Sequence, residues 1–244
     1  MIINNNKIAL LPFADIHTHV LPGIDDGAYN SEEAEHLLDL LLHEGVHQLC
    51  FTPHYYAFDE SIDQFLARRD QSYKKIKNQA LKRQQKTILG CEIYLCEELF
   101  AYDDLVRLTY GDTPYVLLEF PYRPMDHSTL DLLEEFCRRY DVQPILAHID
   151  RFALFFNTTL RDYCRALGCL FQINLDVFTA GRKAQRQALQ LIQQGEIDFL
   201  GTDCHNVTWR SPVIQEHLQD IASTGLEFEI KKIYERTVQL LDFL

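Results

Sequence analysis

Seven short apolar runs, each followed by a polar or amphipathic stretch, limit what this chain can fold into. They are Phe13–His17, Val46–Thr52, Thr87–Ile93, Tyr115–Phe120, Gln143–Ala147, Cys169–Leu175 and Ile197–Thr202. Each is the length of a buried strand and too short for a buried helix. Between them lie helical patterns, the clearest at Ser31–Glu44. There Ala34, Leu37, Leu38, Leu41 and Leu42 form one stripe, Asn30 can cap the start and Gly45 can end it. Ser61–Gln85, Asp126–Tyr140, Asn157–Leu167, Arg182–Gln194, Pro212–Ser223 and Glu227–Leu241 repeat the role. Alternating β and α segments predict a parallel sheet covered by helices. Seven strands without a dinucleotide-type Gly-rich turn favour a closed βα barrel over an open doubly wound sheet. The 244 residues suit a single domain of this kind.

Barrel sites lie at the C-terminal ends of the strands, and metal-competent side chains recur there. His17-Thr18-His19 follows the first run and Asp203-Cys204-His205 the last. Residues i and i+2 of a strand face the same side, so each pair can converge on one ion. Between the pairs stand His54, Glu92, Glu119 and His148, also at the ends of apolar runs. A carboxylate inside an apolar strand is costly unless it is paired or metal-bound. The donors are N and O atoms, which favours Mn, Fe, Zn or Mg over a thiolate zinc site. Arg151 and Arg210 follow two of these residues closely, and guanidinium grips phosphate oxygens in pairs.

A rival motif overlaps the last pair. Cys204 to Arg210 has the Cys-x5-Arg spacing of cysteine-dependent phosphatases. Such loops wrap backbone N–H groups around phosphate and need Gly-like freedom. Val207, Thr208 and Trp209 supply none, and Cys204 between two ligands should face away from them. The match is read as accidental.

The net charge of −13 argues against nucleic acid, whose binding needs a basic surface. No apolar run is long enough to span a bilayer, so no membrane insertion is expected. Met1–Pro12 lacks the features of a secretion leader. Seven scattered Cys without Cys-x-x-Cys read as reduced thiols in a cytoplasm.

Taken together, Asp15-Ile16-His17-Thr18-His19, Gly23-Ile24-Asp25-Asp26-Gly27, Thr52-Pro53-His54, Gly90-Cys91-Glu92-Ile93, Leu118-Glu119-Phe120, Ala147-His148-Ile149-Asp150-Arg151 and Thr202-Asp203-Cys204-His205-Asn206 resemble the PHP superfamily (polymerase and histidinol phosphatase). More closely they resemble its capsule and exopolysaccharide branch of manganese-dependent protein-tyrosine phosphatases. The resemblance implies a distorted seven-stranded, TIM-like βα barrel with three divalent metal ions, Mn first and Fe or Zn as alternatives. It implies one ion on His17, His19, Glu92 and Asp203, a second on Glu92, Glu119 and His148, and a third on Asp26, His54 and His205. Arg151 and Arg210 match the family's phosphate-binding arginines.

The expected activity is phosphomonoester hydrolysis of phosphotyrosine on the phosphorylated tail of a bacterial tyrosine kinase that regulates capsule or exopolysaccharide synthesis. Tyr55, Tyr56, Phe58, Tyr122 and Arg123 are placed on the same face and could meet the aryl ring or its flanks. The alternatives are a PHP phosphatase acting on a small molecule such as histidinol phosphate, a nuclease on the same metals, or a non-catalytic phosphotyrosine-binding regulator. The residues leave the oligomeric state open.

Overall fold

Helix starts and strand ends are set by short local signals, and these decide where the site residues stand. The computed structural model describes residues 10–123 and 125–242. Most of the Met1–Pro12 stretch, Met1–Ala9, lies outside the described residues. Seven α-helices occur within them: α1 (Ser31–His43), α2 (Ile62–Lys82), α3 (His127–Arg139), α4 (Thr158–Ala166), α5 (Arg182–Gln193), α6 (Gln215–Ser223) and α7 (Glu227–Asp242). The Asn30 side chain accepts from the Glu33 N–H at the start of α1. Ser61 and Gln64 form a reciprocal capping box on α2, which satisfies two N–H groups that the helix itself leaves unpaired.

One helix begins later than its pattern suggests. α6 starts at Gln215 rather than Pro212, because the Glu44 carboxylate, beyond the end of α1, accepts from the Ile214 and Gln215 N–H groups at 2.9 and 2.7 Å. A capping group from a distant part of the chain leaves no signal in the local sequence.

Among the described residues there are nine strands, all parallel, eight from the seven apolar runs and β3 beyond them: β1 (Phe13–Asp15), β2 (Val46–Phe51), β3 (His54–Tyr55), β4 (Lys86–Leu89), β5 (Glu92–Tyr94), β6 (Tyr115–Glu119), β7 (Gln143–Leu146), β8 (Leu170–Asn174) and β9 (Phe199–Gly201). They form one sheet in the order β1-β2-β4 and another in the order β3-β5-β6-β7-β8-β9. The expected Thr87–Ile93 strand is thus split, and His54, beyond the end of the expected Val46–Thr52 strand, begins a strand of its own. Pro53 explains both. It has no N–H to give to the ladder, so pairing stops between Phe51↔Leu89 and resumes, in unchanged register, at His54↔Glu92. Gly90 lies in the gap. A Cβ there would sit 2.8 Å from the buried Tyr110 ring.

Period-2 alternation divides the strands between two apolar clusters. Leu49, Phe51, Val116, Leu118 and Leu146 pack with helix residues such as Leu37, Phe65 and Leu133. Cys50, Leu117 and Ile145, on the other face, pack with Ala14, Ile16, Ile88 and Phe199, and α7 supplies Leu240 and Leu241. The parallel sheet therefore curls, with apolar residues on both faces. An isolated parallel bridge between Thr18 and Cys204 brings the ends of β1 and β9 together.

Candidate metal centre

That bridge corrects the simplest sequence argument. The His17/His19 and Asp203/His205 pairs do not lie on β1 and β9 but just beyond them, on two segments that pair with each other. The Asp203 N–H donates to the His17 carbonyl at 2.8 Å, and the His19 N–H to the Cys204 carbonyl at 2.9 Å. The middle residues turn away: Thr18 donates its hydroxyl to the Cys50 carbonyl, and Cys204 packs into the large apolar cluster. His148 and Asp203 both adopt left-handed backbone, φ 30° and 52°. Non-glycine residues hold that conformation at a cost of about 1–2 kcal/mol each. Here it redirects both side chains at the strand ends.

Four ligand atoms come together from three segments. His17 Nε2 is 3.2 Å from His19 Nε2, 3.2 Å from Glu92 Oε2 and 3.4 Å from Asp203 Oδ1. His19 Nε2 is 3.3 and 3.4 Å from the same two carboxylate atoms. A tetrahedron of N and O ligands at metal-bond length from its centre has edges of about 3.3–3.4 Å. The set fits a divalent ion without rearrangement.

Two further groups share members with it. His54, Glu92 and Glu119 offer atoms within 4.8 Å of one another, as do His19, Asp26, His54 and His205. His148 Nε2 lies 2.8 Å from Glu92 Oε1 and 3.5 Å from Glu119 Oε1, so it adjoins the first of these. His54 faces Glu92 through Nδ1 at 3.1 Å and Asp26 through Nε2 at 3.5 Å, which places its ring between the two groups. All nine residues expected as ligands are therefore brought together, with His54 and His19 each adjoining one group more than expected.

The donor chemistry matches a metal. His54 Nδ1, Glu92 Oε2 and His205 Nε2 are buried and have no hydrogen-bond partner, although each faces other ligand atoms. Buried polar atoms are rarely left so, and a cation at the shared centre would satisfy them. Burial holds His148 and His205 below the usual imidazole range, in the neutral form that ligates. Burial alone would raise Glu92, but His17, His54 and His148 pull it well below the carboxylate range. Glu119 is pushed up to about 7, by burial first and by the Glu92 charge second. His19 is raised well above its ordinary value, since Asp25 and Glu92 outweigh the effect of burial. Without a cation the site retains protons that a metal would displace.

Three supporting residues escaped the sequence argument. Asp25, adjacent to the expected Asp26, accepts from His19 Nδ1 at 2.8 Å and from the N–H groups of Gly27 and His54. Gln172 Oε1 accepts from the His148 N–H at 2.6 Å and lies 3.3 Å from His17 Nδ1. Asn174 donates to Asp203 Oδ2 at 2.9 Å. Gln172 and Asn174 alternate with apolar residues on β8, and that polar pair within an apolar strand was the available signal. Gly27 has a steric role: a Cβ there would sit 2.1 Å from the His19 carbonyl oxygen.

The arginines converge as well. Arg151 Nη2 and Arg210 Nη2 each donate to Asp203 Oδ2. Beyond Arg151 lies a cavity of about 340 Å³ lined by Tyr122, Arg123, Met125, Phe152 and Ala153. Tyr56 stacks 5.4 Å from His54 and contacts Phe58 and Tyr94. Tyr55 faces the other way, buried against Phe65.

The Cys-x5-Arg reading fails on geometry. Burial pushes the Cys204 thiol far up, away from thiolate. The loop amides are also committed elsewhere: the His205 and Asn206 N–H groups donate to the Arg210 carbonyl, and those of Thr208 and Arg210 to Asn206 Oδ1. No nest for phosphate is left there.

The chain and its fold are similar to those of known proteins. The chain is 27% identical over 224 residues to the tyrosine-protein phosphatase YwqE of Bacillus subtilis, covering 84% of this chain and 82% of the relative. It is 27% identical over 219 residues to the putative tyrosine-protein phosphatase CapC of Staphylococcus aureus, with the same coverage. A crystal structure from work on YwqE and Streptococcus pneumoniae CpsB, described as unique metal-dependent tyrosine phosphatases, superposes with a TM-score of 0.76 at 23% identity, covering 95% of this chain and 96% of the other. The model of the capsular polysaccharide synthesis family CpsB/CapC matches residues 13–239, and the chain belongs to that family.

Proposed function

We propose that this protein is a metal-dependent protein-tyrosine phosphatase that dephosphorylates a tyrosine kinase controlling capsule or exopolysaccharide synthesis. The observation that carries the reading is the meeting at Asp203 of a tetrahedral N/O ligand set on one carboxylate oxygen and two guanidinium groups on the other. Charge-neutralising cations and a pair of arginines are what a phosphoryl group needs in order to be held and to accept charge.

The ligand groups favour three divalent ions, held by His17, His19, Glu92 and Asp203, by Glu92, Glu119 and His148, and by Asp26, His54 and His205. The N/O donor set suits Mn, Fe, Zn or Mg, and the family resemblance puts manganese first. Bound there, such ions supply Lewis acidity and lower the pKa of water at the phosphorus. Arg151 and Arg210 orient the phosphoryl oxygens and bear part of their growing charge. Asp25, at His19 Nδ1, and Gln172, at His17 Nδ1, keep those imidazoles in the orientation the ligands need, and Gln172 also holds the His148 backbone N–H. No side chain attacks phosphorus, so no phosphoenzyme forms. The cavity beside Arg151, with Tyr122 and Phe152 on its wall, suits an aryl group. Tyrosinate leaves readily because phenol has a pKa of ~10, and little proton donation is required.

On the same reading, β2–β3 and β4–β5 are each one interrupted strand, which makes the sheet a distorted seven-stranded TIM-like barrel in a single domain. No helix among the described residues is long and apolar enough to cross a membrane. A cytoplasmic enzyme acting on the phosphorylated tail of its kinase accords with that.

The deciding experiment compares kcat/KM for a phosphotyrosine peptide and for histidinol phosphate, with Mn supplied. Preference for the peptide is expected. Preference for histidinol phosphate would make the protein a small-molecule phosphatase, and binding without turnover of either would make it a regulator.

A further inference from the structure

A second concave surface lies beside the site and has the opposite charge to the rest of the molecule. Arg182, Lys183 and Arg186 project from α5 into a groove of about 330 Å³ completed by Phe156, Gln187 and Gln190. No carboxylate is among these lining residues. Among the described residues most other arginines are matched with acids, as Arg83 is with Asp39, Arg161 with Glu196 and Arg236 with Asp198. Three exposed cations gathered in one groove of a chain with net charge −13 are a local reversal of its field.

The groove is tied to the phosphate-binding side by short connections. Phe156 lies five residues beyond Arg151, which ends one tight turn, Ile149–Arg151, and a second, Ala153–Phe156, follows it. Arg161 Nη1 donates to the Leu154 and Phe155 carbonyls, and Gln187 Nε2 of α5 also donates to the Phe155 carbonyl, at 3.1 Å. α5 itself follows β8, whose last residue Asn174 holds Asp203, across one further turn. Its first residues therefore stand on the C-terminal side of the sheet, where the ligands are. Phe156 is 47% exposed, with Lys183 Nζ 4.7 Å from its ring centroid. An exposed aromatic ring and three free cations can hold an extended acidic segment through its carboxylates and its backbone face.

We propose that this groove docks an acidic segment of the substrate protein, flanking the phosphotyrosine held at Arg151 and Arg210. The proposal rests on the phosphotyrosine reading above. It accounts for a physical problem: a protein of this charge repels an anionic polypeptide at long range, and a basic strip beside the site offsets that repulsion where the chain must pass.

The test uses the triple variant Arg182→Gln, Lys183→Gln, Arg186→Gln of the metal-loaded protein. Three substrates are compared: p-nitrophenyl phosphate, a phosphotyrosine peptide with Ala flanks, and the same peptide with Asp and Glu flanks. With the acidic peptide, KM should rise about tenfold and the wild-type sensitivity to added salt should disappear. With the other two substrates the variant should match wild type. An unchanged KM for the acidic peptide, or an equal loss on all three substrates, would overturn the docking site. Should wild type hydrolyse none of the three, the phosphatase reading fails by itself. The groove is then judged by fluorescence anisotropy of the labelled acidic peptide: weaker binding by the variant sustains it, and equal binding ends it. Co-sedimentation with phosphatidylserine vesicles that the substitutions abolish, together with unaltered peptide kinetics, would assign the groove to a lipid surface instead.

Discussion

Arg151 and Arg210 donate to the same oxygen, Asp203 Oδ2, each at 2.7 Å, although they arrive from loops after β7 and β9. The other oxygen, Oδ1, lies 3.4 Å from both His17 Nε2 and His19 Nε2. One carboxylate thus links the candidate ligand group to the two arginines proposed to hold phosphate. Arg151→Ala and Arg210→Ala should each cost about 2–4 kcal/mol of transition-state stabilisation, mainly as lower kcat, with bound metal unchanged. Asp203→Ala should lose metal as well as activity. Steady-state kinetics with elemental analysis of each variant separates the two outcomes, and wild-type turnover in both arginine variants would remove them from the site.

Cys204 and its neighbours give a second discriminating comparison. The thiol is buried among apolar residues, whereas Asp203 and His205 face the ligand groups. Cys204→Ser should therefore keep most of the activity. Glu92→Ala and His148→Ala should abolish nearly all of it, because Glu92 belongs to two ligand groups and His148 touches it at 2.8 Å. An inactive Cys204→Ser enzyme with normal metal content would restore the cysteine as nucleophile.

These variants probe residues that the sequence exposed to different degrees. Eight of the nine candidate ligands were legible because His, Asp and Glu at the ends of apolar runs are costly and therefore conspicuous, whereas Asp26, in a Gly-bounded turn, was singled out only by the family resemblance. The placing of Cys204 away from the candidate ligands was legible for another reason, because a residue between two that face one way faces the other. What was not legible depends on atoms far apart in the chain. The Pro53 interruption could be foreseen in one strand, but not its echo at Gly90 in the next. The late start of α6 depends on Glu44, some 170 residues earlier. The left-handed turns at His148 and Asp203, which replace the simple i, i+2 strand geometry, are imposed by the assembled strand ends. Gln172 and Asn174 were overlooked because amides orient ligands without being ligands.

Gly27 offers a purely steric prediction. Its Cα lies so close under His19 that an added methyl would meet the His19 carbonyl at 2.1 Å and its Cβ at 2.6 Å. Gly27→Ala should displace the Asp25–His19 contact and weaken metal binding, while overall helicity stays the same. Titration of the metal-free variant with Mn, beside circular dichroism, would show this. Unchanged Mn affinity would mean the loop yields without cost.

Glu119 carries a pH dependence. Burial and the nearby Glu92 charge push its carboxyl up to about 7 in the metal-free protein. A metal competes with that proton, so apparent metal affinity should be highest above pH 7 and should fall as pH drops through 7. Glu119→Gln removes the competing proton and should flatten the curve in that range, at lower affinity throughout. Isothermal titration across pH, in buffers of different ionisation enthalpy, measures the released proton directly. Proton release that is identical in wild type and Glu119→Gln would contradict the assignment.

Substrate chemistry and pH can be tested together. Attack on phosphorus needs water that has lost its proton, and Mn acidifies water less than Zn does. The rate should accordingly rise with pH beyond neutrality. Glu119, the one candidate carboxylate ligand pushed up toward neutrality, reinforces that direction because the site fills with metal as it loses its proton. The residues lining the cavity beside Arg151 are Tyr122, Arg123, Met125, Phe152 and Ala153, and none of them is a strong acid able to protonate a poor leaving group. Aryl phosphates should therefore be hydrolysed far faster than alkyl phosphates, with phosphotyrosine peptides ahead of phosphoserine peptides. The check is a pH–rate profile for both peptide classes at saturating Mn. An acid optimum would mean that a protonated group limits the rate, and equal rates on serine and tyrosine would require a proton donor that this cavity does not contain.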